Sequence, residues 1–547
     1  MNSKRIFRTA VLAMCLAVTA CSPRRGVVDI VFVQTSDIHG HIYADNPLDG
    51  SERKGALLKA ASYIKELRKE NDNVVFLDAG DNMEGSPEVY FDVTVGLEKH
   101  ELVSMALSYM GCDASVPGNH DINVGALPYD RFMRGALFPV LGGNVGYESF
   151  GDFYAPYTII ERQGVRIAVI GLTTPASEYS VPSDIYGELG FADMVESAQY
   201  WMDEVRESEN PDLVVGLFHS GLEDGRFADA GIEEDAVLEV ARNVPGFDMI
   251  FFGHDHTAYC DSIVNTAGEK VILVNPGAYC ENVGVVRVSI PFRKGNVMSK
   301  KFSASLVDVS GMKPERGLER LLESRRRELN AYLDSVVGVL ETPIDFDGML
   351  TDGASQVDYI HNLLSRHHAA QVTISIPCNA GESFKPGKFT IRDAFRMYPY
   401  ENYMVSITLS GREIINALEY SAQAVISMQG GSKEYNESDI YTASGISYQV
   451  DCSAEPGKRV TVFGMSDGKP FNPGDYYRVS LNSFTYCGGD SDFYKAVGLS
   501  RKQLQRRLNV TTQADIRYYI LTEFFMHNER GTELSVEKRT DYRYLGL

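Results

Sequence analysis

The chain has no C-x-x-C pair, no basic bias and, after its amino-terminal segment, no apolar run long enough to span a bilayer. Without a C-x-x-C pair, a thiolate metal site is not expected. Lys and Arg number 52 against 74 Asp and Glu, giving a formal net charge of -22. A surface of that sign does not displace counterions from a nucleic-acid polymer, so broad nucleic-acid binding is excluded. Small phosphate substrates stay open, because bound metal can make a pocket locally positive. Internal repeats and low-complexity tracts are also absent. What is present is a globular composition, 44% hydrophobic and 23% charged. At 547 residues the chain exceeds one ordinary core, and two domains plus a leader are expected.

The leader has three parts in order. Lys4, Arg5 and Arg8 are basic, Ala10 to Ala20 is apolar, and the small residues Thr19 and Ala20 precede Cys21. The order resembles the lipobox of bacterial lipoproteins. It implies a signal peptide over residues 1–21 and a lipidated Cys21. The mature protein would then be extracytoplasmic and anchored to a membrane of the bacterial cell envelope. With Cys15 and Cys21 set aside, the cysteines are Cys112, Cys260, Cys280, Cys378, Cys452 and Cys487. An oxidising compartment permits disulfides. Cys260 and Cys280 each follow a motif-bearing segment and are one possible pair; buried thiols are the other reading.

From 27 to 305 the pattern alternates between β and α. Asp29–Gln34, Val74–Leu77, Phe138–Leu141, Arg166–Ile170, Leu213–Phe218, Met249–Phe252 and Val283–Ile290 read as strands. Gly55–Arg68 and Ala192–Arg206 read as helices. This is an α/β domain. Residues 306–340 hold a charged, helix-like stretch with Arg-Arg-Arg at 325–327, expected to bridge to a second α+β domain over 341–547. There, Met404–Leu409, Gly445–Val450 and Tyr477–Leu481 read as strands and Gly411–Ala422 as a helix.

Five short blocks carry the chemistry. They are Thr35-Ser36-Asp37-Ile38-His39-Gly40-His41, Gly80-Asp81-Asn82, Gly118-Asn119-His120-Asp121, Phe218-His219-Ser220 and Gly253-His254-Asp255-His256. Most follow an apolar strand, and ligands at the carboxyl ends of several strands converge on one crevice. His, Asp and Asn without Cys suit Zn²⁺, Mn²⁺ or Fe²⁺. In this order the blocks resemble the D-x-H, G-D, G-N-H-[DE], H and G-H-x-H motifs of the calcineurin-like metallophosphoesterases.

That resemblance implies a β-sandwich flanked by helices and two divalent metal ions. Asp37, His39, Asp81 and His256 would hold the first ion. Asp81, Asn119, His219 and His254 would hold the second, with Asp81 bridging. Such ions sit about 3.5–4 Å apart and clamp the attacking and leaving oxygens. His120 would contact the phosphate and stabilise the transition state or leaving group. In the nucleotidases of the family an Asp three residues later supports that histidine. Here the position is Asn123, and Asp121 is the neighbouring carboxylate able to substitute. Asp78 reads as a residue that supports the ligands or the fold and not as a ligand. Asp255, lying between two ligands, is expected to point its side chain elsewhere, and His41 reads as lining the cleft or solvated.

The second domain resembles the C-terminal domain of the 5′-nucleotidase family. Its matching stretches are Pro399-Tyr400-Glu401-Asn402 with Ser406-Ile407-Thr408-Leu409-Ser410-Gly411, Thr442-Ala443-Ser444-Gly445-Ile446, and Asn482-Ser483-Phe484 with Gly488-Gly489-Asp490. The resemblance implies that this domain binds a nucleoside between aromatic rings. Phe484 and Tyr441 would be the rings and Asp490 a further contact, with Asn119 reaching the phosphate. The family's N-G-G-G-I-R stretch is replaced by Ser375-Ile376-Pro377-Cys378-Asn379-Ala380-Gly381-Glu382, with no Arg. A bidentate anion partner is therefore missing from this stretch.

The expected function is hydrolysis of nucleotides to nucleosides and phosphate, in the manner of a 5′-nucleotidase, by attack of a metal-bridging hydroxide on phosphorus. The alternative within the same chemistry is a 2′,3′-cyclic-nucleotide 2′-phosphodiesterase/3′-nucleotidase. A non-catalytic nucleotide-binding lipoprotein is a remote reading, since it predicts loss of ligands that are all present. Action on a non-nucleotide ester is disfavoured by the Phe484 block.

Overall fold

A computed structural model describes residues 26–547 other than 98, 100, 148–150, 153, 181, 183–188, 224, 226, 228–230, 294–295, 352, 380, 489–491 and 540. The leader with Cys21, and Asp490, lie outside the described residues.

Gly26–Thr35 carries the unbroken apolar run Ile30-Val31-Phe32-Val33, all buried, as expected of a strand covered on both faces. It pairs antiparallel with Asn282–Arg293 and parallel with Val74–Asp78. Ala114–Ser115 adds to the far side of Val74–Asp78, while Asn296–Val297 and Lys301–Asp308 both pair with Asn282–Arg293. A second sheet runs Tyr259–Val264, Lys270–Asn275, Met249–Phe252, Leu213–His219, Val165–Thr173, Tyr157–Arg162. The two sheets bury Ile30, Phe32, Val75 and Leu77 against Ile167, Val169, Val215 and Phe251. Helices Leu57–Glu70, Leu102–Met110 and Arg316–Leu333 cover the first sheet, and Met194–Ser208 and Val237–Asn243 cover the second. The result is the helix-flanked sandwich that the motifs implied.

Two expectations change in the structure. Phe138–Leu141 forms only isolated bridges, Ser115 to Val140 and Leu141 to Ala155, because it crosses between the sheets instead of joining one. Segment 306–340 divides into the end of strand Lys301–Asp308, the helix Arg316–Leu333 and the strand Val336–Leu340. The helix buries Leu318, Leu322, Leu329 and Leu333 in the first domain's core. Its Arg325 reaches Asp92 at 2.8 Å and Arg326 pairs with Asp45, so two of the three consecutive arginines pin the helix to the first domain.

The second domain centres on a five-stranded sheet ordered Thr442–Ser444, Val372–Ser375, Tyr476–Asn482, Tyr403–Ser410, Leu508–Asp515. Helix Gly411–Gln429 starts at a capping box of Ser410 and Glu413, which satisfies its first backbone donors. At the junction of the domains the fully buried Arg517 lies 4.6 Å from the Tyr90 ring and 3.9 Å from that of Phe395, and pairs with Glu401 at 3.0 Å. Cys260 and Cys280 are free thiols, as are Cys112, Cys378, Cys452 and Cys487, so the possible pairing is not made. No helix among the described residues is long and apolar enough to cross a membrane.

Phe32 faces Phe251 across the sandwich, ring centroids 6.0 Å apart. Phe32→Ala is expected to destabilise the first domain by about 3–5 kcal/mol. Urea unfolding followed by intrinsic fluorescence should show a lowered midpoint for that domain.

Candidate active site

The five blocks stand on the turns that leave the strands. Asp37 and His39 follow Gly26–Thr35, and Asp81 follows Val74–Asp78. Asn119 opens the short helix Asn119–Asn123, His219 ends Leu213–His219, and His254 and His256 follow Met249–Phe252. These turns are tight. Asp37, His39, Asp81, His254 and His256 all have positive φ, between 46° and 79°. Side-chain-bearing residues rarely occupy that region, and such strain concentrates at functional sites. Glycines make room for it. A Cβ on Gly118 would collide with the Asp81 carboxylate, and one on Gly253 with Ser36 and Asp37. This explains the glycine that precedes Asn119 and the one that precedes His254.

Two clusters result. Asp37, His39 and His256 form one; Asp81, His219 and His254 form the other; within each, the ligand atoms lie within 4.8 Å of one another. The rings are aimed from behind. His39 Nδ1 meets the Glu84 carbonyl at 2.9 Å and His219 Nδ1 meets the Ala79 carbonyl at 2.7 Å, so each Nδ1–H donates and each Nε2 faces inward. His39 Nε2 and His256 Nε2 then point at each other, 3.0 Å apart. His219 Nε2 lies 3.2 Å from both Asn119 Oδ1 and Asp81 Oδ2. Glu234 occupies His254 Nε2 at 3.1 Å, which leaves Nδ1 as its donor to a metal. Ser36 Oγ donates to Asp37 Oδ2 at 2.5 Å.

The electrostatics demand cations. Asp37 and Asp81 are 0% and 1% exposed. Burial pushes the Asp37 carboxyl up from its ordinary range. Burial also opposes ionisation of Asp81, but the His219, His120 and His39 imidazoles outweigh it and hold its carboxyl well below that range. Two neighbouring buried carboxylates titrate apart in this way when only imidazoles surround them. A donor set of carboxylate, imidazole and amide groups with inward lone pairs fits divalent metal.

Other residues named from sequence have different duties. Asp121 is not the support of His120. Its Oδ2 accepts from the N–H groups of Asp81 and Gly118, at 2.8 and 2.9 Å, and its Oδ1 from those of Asn82 and Met83, at 2.8 and 3.0 Å. It shapes the turn that carries Asp81. Asn123 Nδ2 is 3.5 Å from His120 Nδ1, the limit of hydrogen-bond reach. Asp78 accepts from Thr35, Asn82, Ser115 and Gly80, and Asp255 from Leu222, Thr257 and Asn275; both are structural. His41 stacks on Tyr279 at 4.5 Å, and Tyr279 in turn lies 5.6 Å from the His256 ring.

In the second domain the Tyr441 expectation fails. The ring is 0% exposed, packed against Phe493 and Tyr420, and offers no face to a nucleoside. Phe484 is half-buried and packs against the same core, in the helix Ser483–Cys487. Arg396 approaches the stretch that lacks the family arginine, but it forks onto Glu382 through Nε and Nη2. It is committed to that carboxylate.

Comparison with known proteins agrees with this geometry. The family model described as calcineurin-like phosphoesterase matches residues 30–258, and that described as 5′-nucleotidase, C-terminal domain, matches 336–498. The chain belongs to the calcineurin-like phosphoesterases that carry a 5′-nucleotidase C-terminal domain. It is 24% identical to the trifunctional nucleotide phosphoesterase protein YfkN of Bacillus subtilis, over 84% of this chain and 36% of that protein. The chain thus spans about a third of YfkN. It is also 24% identical to the 2′,3′-cyclic-nucleotide 2′-phosphodiesterase/3′-nucleotidase of Yersinia enterocolitica, over 89% of this chain and 85% of that one. In fold it is similar to a 5′-nucleotidase precursor from Thermus thermophilus, with TM-score 0.60 and 22% identity over 95% of this chain and all of the other. The family is one of phosphoesterase hydrolases that use two divalent metals, and the two clusters are the candidate groups for them in this chain.

The sequence reading missed Ser36, Glu84, Glu234 and Tyr279. Ser36, next to Asp37, and Glu84, three residues after Asp81, had a local signal; Glu234 and Tyr279 had none.

Asp121→Ala should release the four N–H groups that set the Asp81 turn. Bound metal, measured by elemental analysis of the purified protein, is expected to fall from two ions per chain to less than one. Asp81→Ala is expected to retain neither ion.

Proposed function

We propose that this protein hydrolyses phosphate esters of nucleosides outside the cytoplasm, tethered to a membrane through Cys21. The observation that carries the catalytic part is the pairing of two ligand clusters around Asp81 with the part-exposed His120 beside them, under a second domain. His39 and His120 rings are 5.2 Å apart, and the Tyr403 hydroxyl of the second domain donates to the Asn123 carbonyl at 3.4 Å.

Asp37, His39 and His256 would hold one divalent ion, and Asp81, Asn119, His219 and His254 the other, with Asp81 shared; zinc, manganese and iron suit these donors. Such ions supply Lewis-acid polarisation of the phosphoryl group and a nucleophile at neutral pH. His120 has Nδ1 directed at carboxylate, so Nε2 is the atom left to face phosphate or the leaving oxygen. Burial opposes its protonation, but Glu84 and Asp81 outweigh this and raise it to about 10, so in the free protein it carries a proton to donate. Phe484, half-buried in the helix Ser483–Cys487, is the ring on which a base would stack, worth about 1–3 kcal/mol.

A 5′-nucleotidase-like activity is the first reading. Asn123 in place of Asp, and Arg396 committed to Glu382, support 2′,3′-cyclic nucleotides and 3′-nucleotides as the second. The membrane tether rests on the order of basic, apolar and small residues before Cys21.

The deciding experiment is turnover by metal-loaded protein of 5′-AMP, 3′-AMP, 2′,3′-cyclic AMP, UDP-glucose and p-nitrophenyl phosphate. Turnover of none of them, with two metals bound, would sink the proposal. Phe484→Ala is expected to raise KM for nucleotides about tenfold, the worth of one stacked base, and to leave p-nitrophenyl phosphate unchanged. Equal effects on both would make Phe484 a packing residue.

A further inference from the structure

We infer that Glu84, from the turn after Asp81, is the positioning residue for His120. It would replace in space the carboxylate that this chain lacks at position 123. The inference rests on the phosphoesterase reading for its role in turnover, and on geometry alone for its structural part.

Glu84 Oε1 lies 3.1 Å from His120 Nδ1, with the carboxylate 15% and the imidazole 37% exposed. The other groups around the ring do not compete for Nδ1. Asp121 is consumed by four backbone N–H groups, and the Asp81 carboxylate accepts the His120 backbone N–H at 2.8 Å. Asn123 presents its amide nitrogen to Nδ1 at 3.5 Å. A carboxylate oxygen at 3.1 Å favours a hydrogen on Nδ1, and the Asn123 amide at the limit of reach is the weaker of the two contacts. The ring is held by Glu84, with Nδ1–H turned back into the protein and Nε2 forward.

The same residue acts twice. Its backbone carbonyl meets Nδ1 of His39, a candidate metal ligand, and its carboxylate pairs with Nδ1 of His120. One turn thereby sets the distance between metal and histidine. In a His–Asp pair built at positions three apart on one helix, the carboxylate would move with the histidine. Here it moves with the metal turn.

The test compares Glu84→Gln, Asn123→Asp and the double variant on a nucleotide and on p-nitrophenyl phosphate. Glu84→Gln should lower kcat on the nucleotide about 10- to 100-fold, with KM and metal content within about twofold. The loss should be smaller on p-nitrophenyl phosphate, whose leaving group needs no proton. Adding Asn123→Asp to Glu84→Gln should restore about tenfold of the loss. Unchanged kcat in Glu84→Gln, equal losses on both substrates, or no rescue in the double variant would overturn the inference. A crystal structure of the metal-loaded wild-type chain tests the contact itself. Glu84 more than about 4 Å from His120 Nδ1, beyond hydrogen-bond reach, overturns it whatever the activity. Wild-type protein inactive on every ester would instead sink the phosphoesterase reading and leave this contact standing or falling by the crystal structure.

Discussion

Two carboxylates, Asp37 and Asp81, are sealed from water at the ends of adjacent parallel strands. Charge in that position is costly unless it is paired. The surrounding structure provides for the pairing. Imidazoles from both sheets converge on the carboxylates, and their outer nitrogens are tied to the carbonyls of Ala79 and Glu84 and to Glu234. The inward nitrogens and the two carboxylates are left as donors that suit a divalent cation.

The turns themselves are strained, and the strain is distributed. Five ligand residues sit at positive φ. Backbone hydrogen bonds and close contacts over-determine them: Asp121 gathers the N–H groups after Asp81, and His254 N–H donates to both oxygens of Asp37. The sandwich beneath supplies the rigidity, since its strands are buried on both faces. Helix Arg316–Leu333 belongs energetically to this domain, while the second domain reaches the site through Arg517 at Tyr90 and through Tyr403 at Asn123. The second domain thus stands beside the candidate site without supplying any of its proposed metal ligands.

The metal ligands were legible because each sits within a few residues of a strand end, in a block whose glycine is demanded by close packing. Local spacing carries that information. Tyr441 was misplaced because an aromatic beside a strand can face either way. Here the segment 440–444 is buried throughout, between Gly411–Gln429 and Phe493, so the ring serves the core. Phe138–Leu141 has strand-like residues, but the edge it meets, Ala114–Ser115, is only two residues long, so the pairing stops at isolated bridges. Asp121 was read as a partner of His120 from adjacency, yet the helix turn swings its side chain the other way, toward the Asp81 loop.

By itself, the sequence determined the chemistry available: which side chains could bind metal, in what order along alternating strands, with no cysteine pair and no basic surface to suggest otherwise. The tertiary structure alone decided which nitrogen of each histidine faces inward, that Arg396 is committed to Glu382, and which carboxylate stands behind His120. Those answers depend on side chains brought together from turns far apart in the chain. Glu84 lies 36 residues from His120 and yet meets it at 3.1 Å, closer than Asn123, its neighbour in sequence. Orientation and hydrogen-bond competition act through space, and residue spacing does not encode them.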